Sequence, residues 1–252
     1  MRGLSASELL AVWEGGLSEA PSRRALALLS AACGEDVDTL AGLPIGRRDH
    51  ELLTLRARTF GGRFSGVARC PACGERVEAT FAASDVISPT DDFGARLHDA
   101  STAPVGDWVE QDGWSVRFRA PTTADLEAVA DLGDPKKARD RLLRRCILEV
   151  KLNGVATRRR RLPRGVAEAL DEAMGRADPQ ANIRLSLTCP SCSNPWEEDF
   201  DTTDFFWSEI DAWAPRLLRE VHVLAAAHGW SEREILAMTP ERRQIYMELV
   251  GA

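Results

Sequence analysis

Several features that would point to a catalytic or membrane protein are missing from this sequence. Histidine is scarce, with four in 252 residues. His50, His98, His222 and His228 are dispersed, form no H-x-x-x-H pair, and read as ordinary surface or core residues. No serine nucleophile elbow, phosphate-cradling glycine loop or metalloprotease motif is present, so the expectation is a protein that is not an enzyme and has no small-molecule substrate. No apolar run approaches the ~20 residues that cross a bilayer. The opening "MRGLSASELLAVWEGG" has a helical amphipathic pattern with charges too early for a secretory signal, so the chain is expected to be soluble and cytoplasmic, without a membrane span. There is no basic excess either. A net charge of −7 and a pI near 5.3 argue against a general nucleic-acid binder, although a local basic patch is compatible with them. Lysine occurs only at Lys136, Lys137 and Lys151, and alanine is abundant; this composition suits a GC-rich bacterial genome and says nothing of function. Six cysteines are too few for a disulfide scaffold of this length, and a cytosolic address keeps thiols reduced. Metal binding and packing remain.

The pattern that is present begins and ends in helices. Ser5-x-x-Glu8 has the form of a capping box before Leu9, Leu10 and Trp13. A second helix runs from Pro21 to Gly34, and "PIGRRDHELLTLRARTF" predicts a third with Leu52, Leu53 and Leu55 on its apolar side. The period then changes to two around "RCPACGERVEATF", where Val77, Ala79 and Phe81 alternate behind a C-x-x-C, predicting a hairpin. "NIRLSLTCPSCSNPWEEDF" repeats the unit about a hundred residues later, with Ile183, Leu185 and Leu187 leading into the second C-x-x-C, and Trp196 and Phe200 beyond it.

Between the two units, "DWVEQDGWSVRFRAP" predicts a hairpin turning at Asp112-Gly113. Thr122 or Thr123 caps a helix through Leu126 and Val129. Asp134-Pro135 opens another, whose buried stripe runs through Leu142, Leu143, Cys146, Ile147 and Val150, and a last helix spans about 163–175. After the second unit, Phe206, Ile210, Trp213, Leu217, Val221 and Leu224 mark a long helix that Pro215 is expected to kink or divide. Ser231-x-x-Glu234 and Thr239-Pro240 open two short final helices. The expected fold is α+β: a two-knuckle zinc ribbon (63–84 and 182–203) with an inserted α+β subdomain (85–181), flanked by N-terminal (1–62) and C-terminal (204–252) helices.

The chemistry concentrates in Cys70, Cys73, Cys189 and Cys192. Four thiolates from two facing knuckles form a tetrahedral set that suits zinc, with a small residue after each second cysteine (Gly74, Ser193) easing the turn. Four sulfurs close the coordination shell, so such a zinc is structural. A redox pair and a site that has lost its metal are the alternatives; a redox C-x-x-C ordinarily opens a helix and needs no duplicate. Cys33 and Cys146 lie on apolar helical faces and read as packing. Two opposite runs of charge complete the inventory. Arg158, Arg159, Arg160, Arg161 and Arg164 form a candidate charged contact for nucleic acid or an acidic protein surface, and "EEDFDTTD" at 197–204 is the acidic counterpart. Each also reads simply as a solvated face, and together they suit a contact that sets register between subunits. Phe205, Phe206, Trp207, Trp213 and Trp230 crowd the C-terminal segment and are the candidate partner-binding residues.

The run "LPIGRRDHELLTLRARTFGGRFSGVARCPACGERVEATF", the distant second C-x-x-C and the tail "FFWSEIDAWAPRLLREVHVLAAAHGWSEREILAMTPERRQIYMELV" resemble phage baseplate proteins of the T-even hub and hub-assembly family, which also occur in phage-tail-like contractile injection systems. The resemblance covers both ends of the chain and not the insert. It implies a non-enzymatic part or assembly factor of a tail baseplate whose partners are other baseplate or tail subunits, and it carries over no catalytic residue. The alternative from the residues alone is a zinc-ribbon adaptor that binds nucleic acid or transcription machinery through the arginine run.

Overall fold

The computed structural model describes residues 1–87, 105–158 and 161–251. The first sixty residues form helices α1 (Ala6–Gly16), α2 (Pro21–Cys33), α3 (Val37–Ala41) and α4 (Ile45–Phe60). Side chains set their limits. Ser5 and Glu8 close a reciprocal capping box on α1, and Gly34 ends α2 at φ 78°, a left-handed conformation that only glycine adopts without steric cost. Asp36 caps α3, a helix too short for periodicity to announce.

A hairpin of β1 (Arg63–Arg69) and β2 (Arg76–Ala82) follows, then the single turn α5 (Ala83–Val86). A four-stranded antiparallel sheet comes next, ordered β3 (Val105–Gln111), β4 (Trp114–Arg119), β5 (Ile147–Leu152) and β6 (Val155–Ala156). Helices α6 (Thr123–Glu127) and α7 (Pro135–Cys146) join β4 to β5, and α8 (Arg164–Ala177) packs on the sheet. The second hairpin, β7 (Arg184–Thr188) and β8 (Pro195–Asp199), leads into α9 (Thr202–His228), α10 (Glu232–Leu236) and α11 (Pro240–Val250). The two cysteine hairpins are separate two-stranded sheets. Residues 88–104 of the expected insert, with His98, lie outside the described residues.

One core joins the N-terminal helices to α9: Leu9, Leu26, Leu29, Leu52 and Leu55 enclose Phe206, Trp207 and Ile210. A second lies within the four-stranded sheet and its helices, where Val116, Phe118, Cys146 and Val150 meet Val166 and Leu170. Between them runs a polar seam. The Gly46 N–H donates to the Asp178 carboxylate at 2.9 Å, the Ile45 N–H to the Pro121 carbonyl at 3.0 Å, and Arg23 pairs with Glu127 at 2.7 Å. A Cβ on Gly46 would overlap the Asp178 carboxylate and lie 2.7 Å from the Ala181 nitrogen. Gly46→Ala is therefore expected to cost about 2–3 kcal/mol in denaturant unfolding. Gly15→Ala, where a Cβ meets nothing within 4 Å, should be neutral or slightly stabilising.

Helix α4 also buries two carboxyls, Asp49 and Glu51. Burial raises Asp49 to about 6 against the opposing pull of Arg48, and burial raises Glu51 to about 7 against Arg47. An acid whose folded pKa lies above its unfolded value of ~4 stabilises fully below that value and loses the contribution as pH rises through the folded pKa. Thermal stability is thus expected to rise as pH falls from 8 to 6, with Glu51→Gln removing about 1 kcal/mol of that slope after allowance for solvent screening. An unchanged slope in melting curves of that variant would refute the assignment.

Three expectations require correction. The stripe drawn through Leu142, Leu143, Cys146, Ile147 and Val150 is not one helix: α7 stops at Cys146 and Ile147 opens β5, where Ile147 and Val150 pair with Phe118 and Val116. The β-branched Ile147 and Val150 suit the pleated sheet, and strand pairing overrides the helical period. The helix capped by Thr122 ends at Glu127, short of Val129, which stays buried. Pro215 does not divide the long helix. α9 runs unbroken because Ile210, Ala214, Leu217 and Val221 stay buried on both sides of it, while Pro215 itself faces solvent.

Candidate metal centre

Each C-x-x-C sits in the turn of a short hairpin, and the two turns are built alike. In the first, the Cys70 N–H donates to the Glu75 carbonyl at 2.9 Å and the Gly74 N–H to the Cys70 carbonyl at 2.9 Å; in the second, Cys189 donates to Asn194 at 3.0 Å and Ser193 to Cys189 at 2.9 Å. Gly74 (φ 76°) and Ser193 (φ 59°) take the same left-handed conformation. Serine adopts it at a cost of about 1 kcal/mol, which the closed turn must offset.

The turns face each other. Cys70 Sγ lies 3.6 Å from Cys192 Sγ, Cys73 Sγ lies 3.6 Å from Cys189 Sγ, and all four sulfurs fall within 4.8 Å of one another. A tetrahedral S4 site with metal–sulfur distances of ~2.3 Å has edges of ~3.8 Å, so the cage is the right size before any ion enters. Cys70 and Cys189 are buried beside Val77 and Trp196, whereas Cys73 and Cys192 reach the surface. Among the described residues no other group of three or more His, Cys, Asp or Glu side chains can hold a metal ion.

The electrostatics are those of a cage ready to hold a cation. Burial pushes the Cys70 thiol up, but the backbone N–H groups of Cys73 and Ala72 and the Cys192 thiol together bring it down to about 7. At Cys73 the Glu75 N–H favours the thiolate, yet the neighbouring sulfurs push it up to about 12, and Cys192 is also raised. Thiolates gathered this closely repel one another, and a bound cation would relieve that repulsion.

The hairpins are seated by aromatics rather than by strand pairing. Phe64 and Phe81 of the first stack at 5.5 Å, Phe200 after the second meets Phe81 edge-on at 5.5 Å, and Phe205 of α9 touches Phe64 and Phe200 at 5.7 and 5.0 Å.

Two of the five aromatics expected to bind partners are inside the chain's own packing. Phe206 and Trp207 are 1% and 7% exposed, with Gly16 against the Trp207 ring and Arg24 above it at 4.6 Å, so these two have no surface to offer a partner. Phe205, Trp213 and Trp230 are half-buried; Trp213 leans on Phe60, and Trp230 stacks on His228 and meets Tyr246 edge-on. Arg158 and Arg161 stand on the surface between β6 and α8, and Arg164, the first residue of α8, is exposed and paired to Glu168; Arg159 and Arg160 lie outside the described residues. Cys33 and Cys146 pack in apolar clusters, and burial beside Asp125 pushes the Cys146 thiol up to about 11.

Sequence reasoning missed a set of buried ion pairs. Arg56 binds both oxygens of Glu209, Arg48 pairs with Asp49 at 2.7 Å, and Arg119 and Arg145 both clamp Asp125. Their pull on Asp125 outweighs its burial and holds that carboxyl down at about 2.

A model of the family described as T4 bacteriophage base plate protein matches residues 8–207. The matched span covers both cysteine hairpins, the insert and the start of α9. No curated protein and no solved structure matches the chain.

Proposed function

The chain belongs to the T4 bacteriophage base plate protein family, and on that premise we propose that it is a non-enzymatic structural or assembly component of the baseplate of a phage-tail-like, contractile injection particle, held together by a structural zinc on Cys70, Cys73, Cys189 and Cys192. The observation that carries the reading is the family match over residues 8–207. The cysteine cage supports its second half: four sulfurs at tetrahedral spacing, with both knuckle turns donating N–H groups toward them, suit zinc and leave no position for a substrate.

Its partners on this reading are other baseplate subunits. Within the C-terminal helices, the half-buried Phe205, Trp213 and Trp230 are the aromatic positions still available to them, and the expected division into ribbon halves, insert and flanking helices gives such a part several separate faces.

Gene deletion with mass spectrometry of purified particles tests the proposal. A structural subunit is found in the particles at fixed stoichiometry. An assembly factor is absent from them, but no particles form without it. Normal particles from the deletion strain, lacking the chain, would refute both forms.

A further inference from the structure

The chain is acidic as a whole, yet one groove on it is basic. It lies between α7, residues 161–163 and α8, holds about 490 Å³, and has an apolar floor of Leu143, Ile147 and Leu162. Lys136, Arg139, Arg144 and Arg161 rim it, all exposed, along with Arg164. The lining carboxylates are Asp140 and Glu168, and Glu168 is engaged by Arg164. Lys136 and Arg161 form no ion pair among the described residues. Arg139 pairs with Asp171 at 2.8 Å, so among the described residues the charge of this rim is partly, not fully, neutralised.

An acidic ridge occurs elsewhere on the same molecule. β8 projects Glu197, Glu198 and Asp199 into solvent, and Asp201 and Asp204 continue the ridge into the first turn of α9. One arginine, Arg184, reaches Glu197 and Asp199 at 3.1 and 3.5 Å, and Asp199 keeps 86% of its side-chain exposure. A single cation does not neutralise five carboxylates. The ridge is also narrow, being one edge of a two-stranded hairpin, and so has the shape to enter a groove.

We infer that the acidic ridge at 197–204 of one copy docks into the basic groove between α7 and α8 of a second copy. Opposite potentials steer such an encounter and fix its register. The apolar floor supplies the desolvated centre that a purely ionic patch lacks. Ridge and groove are different surfaces, so two copies that exchange both contacts close into a symmetric dimer, whereas one contact per pair propagates as a ring or chain. A phosphate backbone would meet the arginines as well, but it gains nothing from Leu143, Ile147 and Leu162. The inference goes beyond the proposed function and does not rest on it.

Sedimentation of the full, metal-loaded chain across a range of concentrations tests it. At low salt the mass should rise above the 27.7 kDa monomer with concentration, and it should return to monomer at high salt. Lys136→Glu with Arg161→Glu should weaken association by about tenfold or more, as should Glu198→Lys with Asp199→Lys. Circular dichroism confirms that each variant is folded. Mixing the two charge-reversed variants, or combining all four changes in one chain, should restore association by re-pairing opposite signs. A monomer at every concentration in low salt overturns the inference, and so does association that ignores the groove reversal or is not restored by the swap. Groove-dependent binding of a duplex DNA probe without self-association would overturn it in favour of a nucleic-acid surface.

Discussion

Cys189→Ser is expected to abolish metal binding and lower the melting temperature by more than any other single change at the site. Cys189 is 1% exposed and lies 3.6 Å from Cys73, its partner across the cage and 116 residues away in sequence. A serine oxygen is a poor fourth ligand for a soft cation, and three remaining sulfurs would leave an open, water-accessible shell. The loss propagates because binding free energy at such a site is also folding free energy. The two hairpins share no strand pairing, so the cage, the Val77–Trp196 packing beside it and the Phe64, Phe81, Phe200 and Phe205 cluster hold them face to face. We expect one zinc per wild-type chain by elemental analysis, none in Cys189→Ser, and a stability loss of several kcal/mol. At about 2–4 °C per kcal/mol for a chain of this size, the melting point should drop by on the order of 10 °C. Cys146→Ser is the control. It sits in the other core, 0% exposed, and should lose some packing while keeping its zinc. Zinc in the Cys189 variant, or equal loss from both, would show that the ligands have been misassigned.

The cage was legible in the sequence because its signal is local and doubled. A C-x-x-C followed by a small residue specifies a knuckle from five residues, and two knuckles in one chain have few reasons to coexist other than a shared ion. Gly74 and Ser193 at positive φ are the structural form of that reading. Helix caps were legible for the same reason, as at Ser5, Thr122, Asp134, Ser231 and Thr239, each of which accepts the predicted backbone bond. What sequence could not supply was the arbitration between neighbours. Whether Ile147 extends α7 or opens a strand depends on β4 lying alongside, 29 residues earlier at its nearest paired position, Phe118. Whether Trp207 is an anchor for a partner or a core residue depends on Gly16 in α1 leaving room for its ring. A wide apolar face on α9 was visible, but which elements cover it is a property of the assembled chain.

The buried charges show a subtler limit, and Arg56 gives the sharpest test of it. Its position is apolar by phase: it follows Leu52 by four residues and Leu53 by three, and those leucines are 0% and 1% exposed. An arginine on that stripe either snorkels to solvent or finds its own partners. Arg56 does the second. Its guanidinium takes both oxygens of Glu209 on α9, the carbonyls of Gly61 and Arg63 at 2.6 Å each, and the face of Phe64 at 4.1 Å. One side chain thereby ties α4, the glycine turn after it, the first cysteine hairpin and α9 together. Arg56→Ala should cost about 3–5 kcal/mol, because it strands a half-buried carboxylate and two carbonyls besides removing packing. Arg56→Lys keeps the charge but not the fork, and should recover less than half of that loss. Urea unfolding of these variants, with Arg56→Met combined with Glu209→Met, separates the terms. The double variant should be less destabilised than the sum of its singles by at least about 1 kcal/mol, since the carboxylate left without its partner is gone. Additive losses would mean that Arg56 acts through packing alone. In that case Arg56→Met, which keeps most of the stem, should be nearly as stable as the wild type.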